Sequence, residues 1–167
     1  MRSSLLFDFT VDKENSTINV TREFAAGVPM VWEAWTNPEI LDQWWAPKPW
    51  KTETVSMDFR EGGTWLYYMQ GPEGDRHYCK NDYKKIVIQK MFSGLDAFCD
   101  ENGKTNEDFP RTEWTNHFKP NGDTTTVSIK AQYASLEDLE KILAMGFKEG
   151  FSMALENLDN YFENLNK

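Results

Sequence analysis

Asp58 and Arg60 stand two residues apart just before Gly62-Gly63. On a strand this spacing puts both on one face. There they serve either as a polar charge clamp at the mouth of a cavity or as an ion pair bracing the glycine turn. His77 and Cys79 repeat the spacing. A Cys–His nucleophile would need a third, orienting group and an electropositive setting. The formal net charge of −9 opposes that setting, so the pair reads as a small buried thiol and an edge histidine. His117 lies between Asn116 and Phe118 and turns outward if Trp114 and Phe118 turn in, leaving it no fixed partner for general-base work. The two histidines and two cysteines have no zinc-like spacing. Neither a G-x-S-x-G nucleophile turn nor a glycine-rich phosphate loop is present. The expectation is no catalytic set, no metal and no cofactor.

Aromatic residues are the other chemical resource: 11 Phe, 7 Trp and 6 Tyr make up 14% of the chain. Trp65, Tyr67 and Met69 share one face of a strand, and Trp114 and Phe118 share a face of another. Phe147, Phe151 and Leu155 fall on one side of a C-terminal helix, with Trp35, Trp44 and Trp45 near its expected end. Rings with a few tyrosine hydroxyls among them resemble the lining of a small-molecule site. The competing reading is that they fill a solid core.

Composition narrows the possible partners. In 167 residues, 27 Asp and Glu outnumber 18 Lys and Arg. An acidic chain repels phosphate backbones and anionic membrane surfaces, so no nucleic-acid partner is expected. No apolar run approaches the roughly 20 residues of a membrane span, so no insertion is expected either. The segment Met1–Phe9 opens like a signal peptide, but Asp8 interrupts its apolar run, and no signal is read there. Cys79 and Cys99 are then expected to be free thiols in a reducing, cytoplasmic compartment.

The elements that must position these residues are legible from pattern. No repeat or linker divides the chain, so residues 1–167 read as one domain, with residues 1–15 an extension before the first strand. Ser16–Phe24 reads as that strand. Two short helices follow, one with Pro29 in its first turn and one capped by Asn37 with Pro38 at its first position. Strands are expected over Thr52–Phe59, Thr64–Gln70, Arg76–Val87, Lys90–Phe98, Arg111–Phe118 and Thr124–Ala134, the last two joined around Asn121-Gly122. Ser135 with Asp138 marks a helix start. The apolar periodicity then predicts one helix from about Leu136 to Asn164, with Gly146 and Gly150 on its inward face, where they make room. This order predicts an α+β fold: a curved antiparallel sheet of about six to seven strands around a long C-terminal helix.

Several local motifs fit one known family. Thr21-Arg22-Glu23-Phe24 with Val31-Trp32-Glu33-Ala34-Trp35-Thr36-Asn37-Pro38 resembles its opening. Trp44-Trp45-Ala46-Pro47 resembles its Trp-Trp-Gly-Pro, and Asp58-Phe59-Arg60-Glu61-Gly62-Gly63 its Asp-x-Arg-x-Gly-Gly. Tyr83-Lys84-Lys85-Ile86, Phe98-Cys99-Asp100-Glu101-Asn102-Gly103 and Met145-Gly146 with Gly150 match further signatures. Ala46, Lys85 and Ile88 depart from the family pattern, as does Ala26-Gly27. The chain thus resembles the heat-shock-protein-90 ATPase activator homologue family, within the START and birch-pollen-allergen-like superfamily of helix-grip folds. That resemblance implies a sheet gripping the long helix, in many members with a cavity between them. It implies no shared catalytic set. The eukaryotic activator's Trp-His-Trp motif lies in an additional domain, and neither His77 nor His117 has flanking tryptophans.

The leading expectation is a non-enzymatic binder of a small apolar or amphipathic ligand, a monomer or homodimer. Its cavity candidates are Trp35, Trp44, Trp45, Trp65, Tyr67, Met69, Trp114, Phe118, Phe147, Phe151 and Leu155, with Asp58 and Arg60 at the mouth. A co-chaperone-type interaction module and a cyclase- or hydratase-like enzyme stand as alternatives.

Overall fold

The structure is a computed structural model that describes residues 5–165. The first four residues of the segment read as lacking a signal peptide lie outside the described residues. Eight strands form one antiparallel sheet: β1 (Phe7–Asp12), β2 (Thr17–Phe24), β3 (Lys51–Met57), β4 (Thr64–Gln70), β5 (Arg76–Val87), β6 (Met91–Cys99), β7 (Glu113–Asn121) and β8 (Thr124–Gln132). Their order across the sheet is β1-β2-β8-β7-β6-β5-β4-β3. Helices α1 (Val28–Thr36) and α2 (Pro38–Trp44) connect β2 to β3, and α3 (Leu136–Ala144) and α4 (Phe147–Leu165) close the chain. The α+β class and the antiparallel sheet with its C-terminal helix are as the sequence implies. The strand count is eight rather than six to seven.

The additional strand is β1, within the stretch read as an extension. It pairs with β2 in a regular register from Phe7 opposite Arg22 to Asp12 opposite Thr17. Its alternation of Phe7, Phe9 and Val11 with Asp8, Thr10 and Asp12 is a strand pattern. Phe9 uses it to pack on Phe147 of α4, with ring centroids 6.2 Å apart. The caps form as expected. Asn37 Oδ1 accepts from Glu39 N at 3.0 Å, and Ser135 Oγ accepts from Asp138 N at 3.1 Å.

The C-terminal helix is two helices. The Met145 N–H bonds to the carbonyls of Lys141 and Ile142, and the Gly146 N–H bonds to that of Leu143. Gly146 has φ +90°, the left-handed conformation that commonly ends a helix and that glycine adopts at least cost. Apolar periodicity runs across the break because both helices present apolar faces to the same sheet, so periodicity alone reads straight through it. Gly146 therefore turns the chain, while Gly150 lies inside α4.

The inward faces of β2 and β4–β8 share one core with α1, α2 and α4. Three polar ties fix the helices to the frame. Arg22 of β2 donates to Asp159 of α4, both side chains largely buried. Asn157 Nδ2 donates to the Ala46 carbonyl at 3.0 Å. The Trp44 indole N–H donates to the Ala34 carbonyl at 2.9 Å.

The two glycines respond oppositely to the same substitution. Gly146→Ala forces a Cβ into the left-handed region and lowers stability by about 1–2 kcal/mol. At Gly150 an added Cβ meets only Pro47 Cγ, at 3.6 Å, so Gly150→Ala raises stability by up to about 1 kcal/mol through helix propensity. Urea denaturation of both variants checks the pair of signs.

Candidate functional site

Strand parity decides which side chains face the helices. On β4 the inward set is Trp65, Tyr67 and Met69; on β5 it includes Cys79, Asn81 and Tyr83; on β6 it is Phe92, Gly94, Asp96 and Phe98. Register places Trp65 opposite Asn81 and Asn81 opposite Asp96, and in the next row Tyr67 opposite Cys79 and Cys79 opposite Phe98. β7 adds Trp114, and Tyr133 follows β8. Across from this wall, α4 sets Phe147, Gly150 and Phe151, and Trp45 projects from the end of α2.

These elements line a cavity of about 240 Å3 that is open to solvent on one side. Trp45, Tyr67, Met69, Trp114, Phe147 and Phe151 all line it, joined by Asp96 and Tyr133. At its inner end is a chamber of about 20 Å3, bordered by Trp35, Trp65, Asn81 and Asn116 and sharing Trp45, Asp96 and Trp114 with the larger space. A volume near that of one probe sphere accommodates a single water where polar groups surround it.

The aromatic residues therefore divide between filling and lining. Trp32, Phe59, Phe92 and Phe118 lock edge to face and stacked, with Trp32 5.0 Å from Phe118 and Phe59 5.7 Å from Phe92. Phe24, Trp35 and Phe162 extend this cluster. On the other side, Trp114, Phe147 and Phe151 pack at 5.3–5.9 Å. Trp45 touches Trp114 and Phe151 there, and Trp44 on the packed side.

Of the residues named from sequence, six line the main cavity. Trp35 and Trp65 reach only the inner chamber. Trp44, Phe118 and Leu155 border neither space; each is buried against other core side chains. Asp58 and Arg60 leave the strand before their spacing takes effect. β3 ends at Met57, and the two side chains pair at 2.7 Å in the open, more than half exposed. They brace the turn, where a Cβ on Gly63 would come within 2.0 Å of the Asp58 carbonyl oxygen. Neither borders the cavity. His77 and His117 are exposed, and His77 faces Asp75 and Trp50. Cys79 and Cys99 are free thiols. Among the described residues no cluster of His, Cys, Asp or Glu could hold a metal ion, and no helix is long and apolar enough to cross a membrane.

Asp96 and Tyr133 are polar lining residues that sequence reading missed. The Asp96 carboxylate accepts from the Thr112 N–H at 2.8 Å and from the Trp114 indole N–H at 2.6 Å. It keeps some accessible surface where it lines the cavity, yet protein surrounds it, and this desolvation pushes its pKa up to about 6 against the pull of those two hydrogen bonds and of Arg111. Arg111 does not pair with it. Its guanidinium donates to Asp82 at 2.9 Å and to the carbonyls of Asp96 and Leu95. Burial raises the other titratable groups of the wall. Cys79 is pushed up to about 12, and Tyr67 and Tyr133 rise above the ordinary phenol value. Tyr67 accepts from the Trp45 indole N–H at 3.0 Å. The Tyr133 hydroxyl and Asn81 Oδ1 are buried without a hydrogen-bond partner. The signal for Asp96 was its parity: it is the charged member of an otherwise apolar strand face, Phe92-x-Gly94-x-Asp96-x-Phe98.

An antiparallel sheet holding a C-terminal helix over an aromatic-lined space defines the helix-grip class. Within it, the chain belongs to the family described as activator of Hsp90 ATPase homolog 1-like proteins, whose model matches residues 25–163. A crystal structure of Ms6760 from Mycobacterium smegmatis is 31% identical, with a TM-score of 0.86 over 94% of this chain and 96% of that one. A solution structure from Arthrobacter aurescens is 30% identical, with a TM-score of 0.86 over 91% and 88%. CalU16 from Micromonospora echinospora shares the fold at 19% identity, with a TM-score of 0.60 over 93% and 83%. No curated protein matches the sequence.

Asp96 gives a signed pH dependence. Its folded pKa of about 6 lies above its ordinary value of 3.8. The folded state therefore holds this proton more tightly, and the associated stability is fully present below about pH 4 and lost as pH rises through about 6. The lost contribution is at most about 3 kcal/mol. Urea denaturation at about pH 4 and pH 7 should show wild type losing stability relative to Asp96→Asn over that interval. A constant difference between the two proteins would refute the assignment.

Proposed function

We propose that this protein binds a small, largely apolar molecule in the cavity between β4–β6 and α4 and releases it chemically unchanged. The observation that carries this reading is the division of the rings: one cluster packs ring on ring, touching only the small inner chamber through Trp35 and Phe92, while the other stands around about 240 Å3 of space. An apolar cavity of about 150 Å3 already suffices for benzene, so this one suits a single ring with a short chain. Each Å2 of apolar ligand surface buried contributes about 25 cal/mol. The wall's ionisation supports binding over acid–base chemistry. Such catalysis uses two groups tuned to complementary roles near the working pH. Here Asp96 titrates near neutrality, whereas Tyr67, Tyr133 and Cys79 are driven upward. The free thiols suit a reducing compartment such as the cytoplasm, and the whole chain acts as one binding unit.

The test is 19F NMR with fluorobenzene as probe. Wild type should give a saturable shift in the fluorine resonance. Gly150→Leu, which sends a side chain from α4 toward the cavity, should keep a cooperative thermal transition and lose that shift. Equal binding by the two folded proteins would sink the proposal.

A further inference from the structure

The cavity has a polar end, and its chemistry is one-sided. Asp96 lies where the main cavity meets the inner chamber. Its two hydrogen bonds come from the Thr112 main chain and the Trp114 indole, both neutral donors. Among the described residues no Lys, Arg or His forms an ion pair with its carboxylate. From β4 the neighbouring titratable group is Tyr67, from β5 Cys79, and from the end of β8 Tyr133, all neutral at physiological pH. Arg111 is spent on Asp82 and on main-chain carbonyls. The side chains that α3, α4 and the turn between them contribute to the lining, Ile142, Met145, Phe147 and Phe151, carry no charge.

A largely desolvated carboxylate that the nearby Arg111 reaches only through space, without an ion pair, is costly, and a cation supplied from outside relieves that cost. The remaining walls favour the same partner. Trp45, Trp114, Phe147 and Phe151 offer ring surfaces, whose negative π-faces attract cations. An anionic ligand would meet Asp96 as a like charge. The acidic chain also draws cations toward it from solution.

We infer that the cavity selects a compact organic cation, a protonated amine on an aromatic or branched apolar body, with its nitrogen at the Asp96 carboxylate and its body among the rings. The Tyr133 hydroxyl, buried and unpartnered in the same wall, can accept a second N–H from such a group. This inference rests on the binding reading above and adds the charge of the ligand to it.

Isothermal titration calorimetry with three probes of similar shape tests it: 2-phenylethylamine, 2-phenylethanol and 3-phenylpropanoate. The amine should bind about tenfold or more tighter than the alcohol, and the acid weakest. Asp96→Asn should abolish the amine's advantage and leave the alcohol's affinity within about threefold of wild type. Asparagine cannot accept from both Thr112 and Trp114 as the carboxylate does, so a second arm uses wild type alone. Lowering pH from about 7.5 to 5 should weaken the amine and spare the alcohol, as Asp96 takes up a proton. Alcohol or acid binding as tightly as the amine would overturn the inference and leave the cavity reading standing. If none of the three bound, and fluorobenzene failed as well, both would fall together.

Discussion

A wide sheet cannot be covered by one helix. Eight strands about 4.8 Å apart span roughly 34 Å, whereas a helix with its side chains is about 10 Å across. The inward face of this sheet is apolar over most of that width and has to be shielded from water. α4 covers part of it. α1 and α2, inserted between β2 and β3, cover another part with Trp32, Trp35 and Trp44. The large aromatic side chains bridge what the backbone elements leave open. Where bridging is complete, around Phe24, Trp32 and Phe118, the interior is solid; where it stops short, around Trp114 and Phe151, a cavity remains.

The break at Gly146 follows from the same geometry. A straight helix from Leu136 onward would run in one direction across a face that curves. Ending α3 and restarting α4 lets Leu139 and Ile142 bury in one direction and Phe151, Leu155 and Leu158 in another. Phe147, at the start of α4, then reaches both Phe9 of the edge strand and Trp114 of the central sheet. Residues far apart in sequence meet at that restart, which places the cavity there and not midway along a continuous helix.

Much of this was legible in the residues. Seven strands, both short helices and the Asn37 and Ser135 caps came from alternation, proline placement and capping chemistry, because these are local properties. β1 is legible too, in Phe7-x-Phe9-x-Val11, although Asp8 interrupts that segment as a continuous apolar run. The helix break was not, since periodicity reports the face a residue occupies and is blind to a change of axis. Among the site residues, Trp45, Tyr67 and Trp114 followed from parity. Phe118 has the parity and size of the lining residues, and the packing of Trp32 and Trp35 of α1 on it is what covers it; Leu155 lies on the lining side of α4 by periodicity but is fully buried. Asp96 was obscured by the opposite error: a carboxylate amid large rings draws less notice than the rings, although its charge was the more unusual feature of that strand face.

Separating the rings into a packed cluster and a lining cluster has an evolutionary consequence. Most of the grip that holds the sheet to α1, α2 and α4 lies in side chains that no ligand would touch. Substitution along Met69, Phe147 or Phe151 can reshape what fits while the opposite cluster keeps its lock, with Trp45 the ring that answers to both sides. Such an architecture tolerates drift in its contents. Relatives are then best compared wall residue by wall residue, beginning at the position of Asp96, because overall similarity chiefly reports the packed half of the interior.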